Sequence, residues 1–458
     1  MSVLKVKSLL DNLNGTIINR GTISKFNGFC LDSREAKKNN LFFAVKGENA
    51  DGHNFIDAAF DKGATGAVVS RKIQVKPQFS HCLVLQVDNV ITALWQAGIE
   101  LKKSIPSEKI AAITGSCGKT STKELLKAAL SEAGKTGATR GNYNNELGLP
   151  LTLSWFEGDE DFHVLELGMN NFGEIDKLAR LVEPQVGIIT SIRPVHLEGV
   201  GNLEGVRKAK GELIPWIRSG GTAVLPISEK SLIEKAVRQG LKVLTFGKKP
   251  ADFAILDYES NLAGSTFKLR CHNKIHQVKI PLPGEHQILN CSAALAASTA
   301  LGIDLKTAIR GVTRVQLPGQ RSKIHKRGKL YIFDDSYNSS PAGAEAVLKM
   351  ASDIFSGPVV AILGDMLELG DKSSFYHHQL GKTASKLDFS KIVYVGDFYS
   401  DFKAGLDRDN LLLKADSPAQ AVEKIFPFIK NKHCLLLVKA SRKLALDKSI
   451  KILLDKLL

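Results

Sequence analysis

The chain has 458 residues, about three times what one ordinary hydrophobic core organises, so a small single-domain binding module is excluded and roughly three domains are expected. Apolar residues at 43% and charged residues at 24% are globular values, which exclude collagen-like, mucin-like and largely disordered chains. Lys and Arg number 62 against 47 Asp and Glu, a net charge of +15; this favours partners bearing phosphate or carboxylate without choosing between nucleic acid, a small anionic substrate and plain solubility.

The N-terminal stretch MSVLKVKSLLDNLNG has no uninterrupted apolar segment of signal-peptide length, and nowhere do eighteen apolar residues run together, so neither secretion nor a membrane span is expected. The six cysteines, at 30, 82, 117, 271, 291 and 434, form no C-x-x-C pair and no zinc-like cluster with His, which fits a reduced, cytoplasmic protein. Short apolar runs LFFAV (41–45), GAVVS (66–70) and CLVLQV (82–87) alternate with polar, Gly-containing turns, predicting a small α/β domain over 1–105. The segment KKSIPSEK (102–109) breaks this pattern with a Pro among charged residues and marks a boundary near 106.

From 106 to 315, strands such as IAAIT, VLEL (164–167) and VGIIT (186–190) alternate with helical stretches, the pattern of a parallel sheet covered by helices. An interruption over 252–281 has turns at AGS and HNK and predicts an inserted hairpin, followed by an Ala-rich helix from Asn290. Over 316–458 the strands YIFDD, VVAILGD, KIVYVGD and CLLLVKAS end in polar residues, as in an open nucleotide-binding sheet. Asp335, Asp365, Asp397 and Lys439 are therefore expected at one edge.

The strongest local signal is IAAITGSCGKTSTKELLKAAL, a strand joined to an amphipathic helix through Gly115, Ser116, Cys117, Gly118, Lys119, Thr120 and Ser121. Glycines let backbone N–H groups curl around an anion, the helix N-terminus adds partial positive charge, Lys119 can neutralise phosphate and the Thr120 hydroxyl can coordinate Mg²⁺. The loop is shorter than G-x-x-x-x-G-K-[ST], since Gly115 stands only three residues before Gly118, and a glycine-rich turn with a surface lysine is the bland alternative. Cys117 is expected to be incidental. Glu166 ends a core strand, and His196, Lys208, Lys210 and Glu212 follow another; a carboxylate or a neutral imidazole there can hold a metal, or simply be a surface or hydrogen-bonded group.

Taken together, TGSCGKTS, GNYNNELGLPLTL, ELGMNNFGEI, VHLEGVGN, KAKGE, LPGEHQILNCSAALAA, PGQR, DDSYNSSP, LGDMLELG and VKASR resemble the Mur ligase superfamily in order and spacing. With the leading DSREAKKNNLFFAVKGENADGHNFI, the resemblance spans nearly the whole chain. It implies a three-domain α/β fold with a central P-loop parallel-sheet domain and a Rossmann-like C-terminal domain. It also implies an ATP-dependent ligase that phosphorylates the terminal carboxylate of UDP-N-acetylmuramoyl-tripeptide, after which the amine of D-alanyl-D-alanine attacks the acyl phosphate. A monomer is expected, with no nucleic-acid partner.

Residue by residue, the resemblance makes Lys119 and Thr120 contacts of phosphate and Mg²⁺, Glu166 a metal ligand, His196 a ligand or organiser of a second Mg²⁺, and Lys210 the lysine that becomes carbamylated. It assigns His286 and Asn290 to the adenine end of ATP, and Arg321 and Asp335 to its phosphates and ribose. Ser33, Arg34, Lys46 and Gly47 are implied to meet the uridine diphosphate, with Asp51, Gly52 and His53 shaping that loop, and Asn142, Asn144 and Asn145 to bind substrate. Asn338, Ser339 and Lys439 to Arg442, including Ser441, are candidates for the dipeptide. Bland alternatives stand beside these: Lys210 as a helix-surface lysine, Arg321 as an exposed loop arginine, and DSR as a helix start capped by Asp32 or Ser33.

Three positions depart from the pattern. Arg193 and Pro194 occupy the approach to His196, where the resemblance implies smaller or different residues, and Ala440 stands where glycine is expected, a change that matters if the backbone there has positive φ. His377 and His378 carry no metal expectation, since neighbours on a helix face different directions. The competing functions are a folylpolyglutamate synthase, which shares the acyl-phosphate scheme, a nucleic-acid-dependent ATPase, disfavoured by the lack of long basic runs interleaved with aromatics, and a catalytically silent scaffold.

Overall fold

The structure, a computed structural model, describes residues 3–457; Met1, Ser2 and Leu458, which close the first and last predicted domains, lie outside the described residues. Three main sheets follow one another along the chain. In the first, strands run in the order Gly15–Asn19, Leu83–Val87, Gly66–Val69, Leu41–Phe43 and Phe29–Cys30, with only the Gly15–Asn19 edge antiparallel. Helix Val90–Lys102 is started by Asn89, whose side chain accepts from the N–H groups of Ile91 and Thr92. It buries Val90, Ala93, Leu94, Ala97 and Leu101, the three-to-four spacing of a one-faced helix.

The middle domain carries nine strands. Seven are parallel, in the order Thr136–Ala138, Phe162–Glu166, Ile110–Thr114, Val186–Ile189, Thr222–Pro226, Lys242–Gly247 and Phe253–Asn261. Gly264–Cys271 and Lys274–Ile280 then fold back antiparallel, so the predicted hairpin is a three-strand meander whose first strand extends the parallel sheet. Ile110–Thr114 is buried at every residue because helices cover both faces. Glu174–Val182, Leu203–Lys210 and Lys230–Arg238 pack on one side, and Lys119–Ser131 and Glu285–Ala300 on the other. The Ala-rich helix therefore starts at Glu285, not at Asn290 as the sequence suggested. It is buried nearly all round, Gln287, Asn290 and Ser292 included, so no amphipathic stripe announces its first turn.

The C-terminal sheet has six strands: Lys323–Arg327, Leu330–Asp334, Cys434–Lys439, Val359–Gly364, Phe389–Val395 and Leu412–Ala415. All but the first are parallel, and their carboxyl ends gather at one edge, where such sheets bind ligands. The domains also touch. The Phe29 N–H donates to Ser154 Oγ at 3.0 Å and Trp155 Nε1 donates to the Phe29 carbonyl at 3.2 Å, tying the first sheet to helix Gly148–Ser154 of the middle domain. Among the described residues no helix is long and apolar enough to cross a membrane.

Candidate functional site

The glycine turn leaves strand Ile110–Thr114 and enters helix Lys119–Ser131. Gly115 has φ 143° and Gly118 φ 85°, values that side chains rarely adopt. A Cβ on Gly115 would lie 2.0 Å from Thr190 Oγ1, and one on Gly118 2.2 Å from Asn290 Oδ1. The next strand end buttresses the turn. Ser116 Oγ donates to the Arg193 carbonyl and accepts from its N–H, both at 2.9 Å, the Cys117 N–H donates to Ser191 Oγ at 3.1 Å, and Thr190 Oγ1 donates to the Cys117 carbonyl at 2.5 Å. Arg193 thus clamps the loop through its backbone. Lys119 Nζ donates to the Gly115 carbonyl at 2.7 Å; burial pulls this amine down, with nearby Glu166 opposing. Ser121 is buried in the first helical turn.

Behind the loop, Thr120 Oγ1 donates to Glu166 Oε2 at 3.0 Å and Asn144 Nδ2 to Glu166 Oε1 at 2.8 Å. Glu166, only 2% exposed, is held by its own N–H, which donates to Thr139 Oγ1 at 3.0 Å. Lys210 is completely buried, and its Nζ has no hydrogen-bond partner. Burial, reinforced by the neighbouring Lys119, drives this amine well below its ordinary range. The helix-surface alternative therefore fails for Lys210 and describes Lys208, which is exposed with its Nζ 5.7 Å from the Phe172 ring centroid. Glu212 is structural: it accepts from the N–H groups of Gly173 at 2.9 Å and Asp176 at 3.2 Å, at the start of helix Glu174–Val182.

His196 sits at φ 52° with Nδ1 2.7 Å from Glu368 Oε2 of the C-terminal domain. The imidazole holds that carboxyl below the usual carboxylate range. Among the described residues no three His, Cys, Asp or Glu side chains already form a metal cage.

A chain of side chains links the turn to the C-terminal sheet edge. From Asn290, beside Gly118, Nδ2 donates to Gln287 Oε1 at 3.1 Å and Gln287 Nε2 to Ser322 Oγ at 3.1 Å. The Ser322 N–H donates to Asp335 Oδ1 at 3.1 Å, and Lys439 Nζ donates to Asp335 Oδ2 at 2.6 Å and to the Asn338 carbonyl at 2.9 Å. His286 falls to about 4, chiefly through burial, with Asp335 pulling the other way. Asn290, expected with His286 at the adenine end, lies beside Gly118 of the glycine turn. The Arg321 guanidinium lies 3.8 Å from the Tyr337 ring centroid and that of Arg442 5.7 Å from the same ring. Ser441 Oγ accepts from the Leu367 N–H at 3.0 Å.

Cys117 is not incidental to the packing: its Sγ lies 3.2 Å from Ser340 Oγ, at the N-cap of helix Pro341–Asp353. Asp365 reaches the expected edge, but is buried and accepts from Tyr394 Oη and the N–H groups of Asp397 and Phe398 at 2.9 to 3.2 Å. His377 is also structural, accepting from the Met366 N–H at 2.9 Å and stacking on Phe398 at 4.4 Å. Ala440 is buried and is not among the residues with positive φ, so alanine brings no strain there.

In the first domain, Ser33 is buried, and Arg34 is exposed and pairs with Asp32 at 2.6 Å. Asp32 Oδ1 also accepts the Arg34 N–H at 2.9 Å, the capping alternative. The backbone of Lys46 pairs with that of Asp51 in an isolated antiparallel β-bridge, and the Gly47 N–H donates to the Ala50 carbonyl at 2.9 Å. His53 Nδ1 meets Asp51 Oδ1 at 2.6 Å while its Nε2 accepts from the Ser70 N–H at 2.9 Å, fixing this turn. Asn142 is exposed. Asn145 Oδ1 accepts the Gly148 N–H at 2.9 Å, closing the start of a helix, so of the three asparagines Asn144 alone joins Glu166. Sequence reasoning missed Gln287, Ser322, Ser340 and Glu368. LGDMLELG was the only signal for Glu368, since its partner lies 172 residues earlier.

Three family models match in chain order: Mur ligase family, catalytic domain, over residues 25–112; Mur ligase middle domain over 113–298; and Mur ligase, glutamate ligase domain, over 320–442. The UDP-N-acetylmuramoyl-tripeptide--D-alanyl-D-alanine ligase of Bacillus subtilis (strain 168) is 30% identical over 460 aligned residues, covering 98% of each chain. A crystal structure of MurF from Acinetobacter baumannii superposes with a TM-score of 0.89 at 30% identity, covering 99% of each chain. MurF ligase from Thermotoga maritima in complex with ADP gives a TM-score of 0.81 at 27% identity, over 94% of this chain and 98% of that one. With its glycine turn, three-sheet order and end-to-end relatives in agreement, the chain belongs to the Mur ligase family.

Proposed function

We propose that this chain joins D-alanyl-D-alanine to UDP-N-acetylmuramoyl-tripeptide, with ATP activating the terminal carboxylate, to give the UDP-muramoyl-pentapeptide precursor of peptidoglycan. The observation that carries the reading is the meeting of the Gly115–Thr120 turn with the Asp335–Lys439 edge through Asn290, Gln287 and Ser322. It sets a phosphate cradle against the ligand edge of a second sheet. A carboxylate is a poor electrophile. When its oxygen attacks the γ-phosphorus, the bond to the β-phosphate oxygen breaks and ADP departs; the dipeptide amine then attacks the acyl carbon, phosphate leaves, and the nitrogen loses a proton.

The chain's part is binding, orientation and charge. Lys119 exchanges the Gly115 carbonyl for phosphate oxygens, Arg321 offers a planar fork of donors, and the start of helix Lys119–Ser131 supplies N–H groups. Thr120 and Glu166, adjacent oxygen donors, suit one Mg²⁺, His196 and a carbamylated Lys210 would hold or organise a second, and these ions would offset charge on the phosphate oxygens. Lys210, buried and without a partner, suits carbamylation: an unprotonated amine adds carbon dioxide, forming one N–C bond and releasing one proton, so that a neutral amine becomes an anion. His286 and Asp335 serve the nucleoside end, with Asn290 nearer the phosphates. Ser33, Arg34, Lys46 and Gly47 serve the uridine diphosphate, Asn142, Asn144 and Asn145 the muramoyl peptide, and Asn338, Lys439, Ser441 and Arg442 the dipeptide.

On this reading residues 1–105 bind the UDP substrate, 106–315 the ATP and 316–458 the dipeptide, in a monomer. The six free cysteines, five of them buried, support the cytoplasm as the compartment. Purified protein with Mg-ATP, UDP-muramoyl tripeptide and D-alanyl-D-alanine is expected to yield ADP and a product heavier by the dipeptide. Glutamate addition to a folate, with no muramoyl product, would assign the chain to the folate ligases instead.

A further inference from the structure

We propose that Glu368 is a positioning residue for His196, delivered by the C-terminal domain, so that closure of this domain orients the imidazole for divalent-cation binding beside the phosphate loop. The inference rests on the functional reading above and names a residue it does not use. Glu368 follows strand Val359–Gly364 and precedes the one-turn helix Gly370–Lys372, whereas His196 follows strand Val186–Ile189 of the middle domain. Their side chains meet at 2.7 Å, Oε2 to Nδ1.

Both residues are non-glycine and both are held left-handed, Glu368 at φ 64° and His196 at φ 52°. Strain of this kind persists only where the surroundings impose it, and it concentrates at switch points and ligand clamps. Here it occurs twice, on the two partners of one contact across a domain boundary. The contact is reinforced next door, where Gly370 packs so closely on Glu198 that a Cβ would lie 3.1 Å from its Cγ. The pair lies within the electrostatic reach of Lys119, which feels the charge of Glu368.

A histidine that binds a cation through one ring nitrogen is commonly fixed by a carboxylate on the other, which sets tautomer and ring direction. Nδ1 lies 2.7 Å from Glu368 Oε2 as an ion-pair contact without hydrogen-bond alignment; turning the ring into line with that carboxylate as the domain closes would leave Nε2 for a cation. Because the carboxylate belongs to another domain, cation affinity and domain closure share one free energy, and each must favour the other.

The test measures Mn²⁺ binding to the full chain in saturating ADP by electron paramagnetic resonance, for wild type, Glu368→Gln, His196→Ala and the double variant. Glu368→Gln is expected to weaken Mn²⁺ binding about tenfold and to have no further effect once His196 is alanine, as a double-mutant cycle requires of a residue acting through its partner. Wild-type affinity in Glu368→Gln, or two losses that simply multiply, would overturn the inference while leaving the functional reading standing. Absence of Mn²⁺ binding to the wild type with ADP would remove that reading and the inference with it. Should Glu368→Gln not fold, Glu368→Asp, which withdraws the carboxylate by one methylene, is read in the same way.

Discussion

Lys119, Lys123 and Lys210 are three lysines withdrawn from water within one helix-and-loop neighbourhood, and their partners separate their roles. Lys123, fully buried, is satisfied by the Thr139 carbonyl at 2.6 Å and by Glu124 at 2.8 Å. Lys119 rests on a carbonyl it can exchange for phosphate, and Lys210 has no partner. An unpartnered buried cation is expensive, so such a group belongs to a site whose remaining component arrives with the substrates or by modification. Lys119→Ala is expected to reduce ligation at least about a hundredfold with an unchanged circular dichroism spectrum; near-wild-type turnover would refute its role. Lys210→Ala is expected to lose activity and regain part of it in millimolar-range formate or acetate, whereas a loss that no carboxylate repairs would argue against carbamylation. His163 gives a pH prediction away from the site. Its ring lies 4.6 Å from Phe156 and its Nε2 3.8 Å from Glu160, and burial lowers it to about 4 against about 6.5 when unfolded. The neutral ring's contribution is therefore present above pH ~6.5 and lost as pH falls from there towards 4, on the order of 3 kcal/mol. Urea unfolding of His163→Phe at neutral and acid pH should show a correspondingly smaller acid loss than wild type, and an identical loss would contradict the assignment.

Among elements, the glycine turn shows what a sequence can and cannot convey. Strand, turn and helix were legible because a wholly apolar strand, two glycines and a lysine at a helix start each carry their own physical signature. The packing around Gly115 and Gly118 was not legible, because it comes from Thr190 and Asn290, distant in sequence. Gly118→Ala should place a methyl group against Asn290 at a positive φ, destabilising the protein by about 1–3 kcal/mol and weakening nucleotide binding more than UDP-substrate binding. Calorimetric titration with each ligand distinguishes this from a general loss of folding, in which both affinities fall together. The helix Glu285–Ala300 was placed five residues late for a related reason: burial all round erases the polar–apolar alternation by which helix starts are recognised. The meander over Phe253–Ile280 was largely legible, since its turn residues mark chain reversals whatever the tertiary surroundings.

At the scale of the whole molecule, three sheets present side chains to one another across their boundaries. Phe29 meets Ser154 and Trp155, Gln287 meets Ser322, Cys117 meets Ser340, and His196 meets Glu368. The order of the sheets was readable from alternating strand and helix patterns, and motifs singled out several residues that the structure brings together, Thr120 and Glu166 among them. The pairs that join domains were not, because nothing local in the chain records which loop will face which. These contacts are small and polar, so they suit a domain that opens and closes over its substrates. The most direct measurement is a crystal structure of the full chain with a non-hydrolysable ATP analogue. The expected result is a triphosphate wrapped by Gly115 to Thr120, with the base and ribose towards His286 and Asp335. An empty glycine turn, with the nucleotide bound at another surface, would contradict the account.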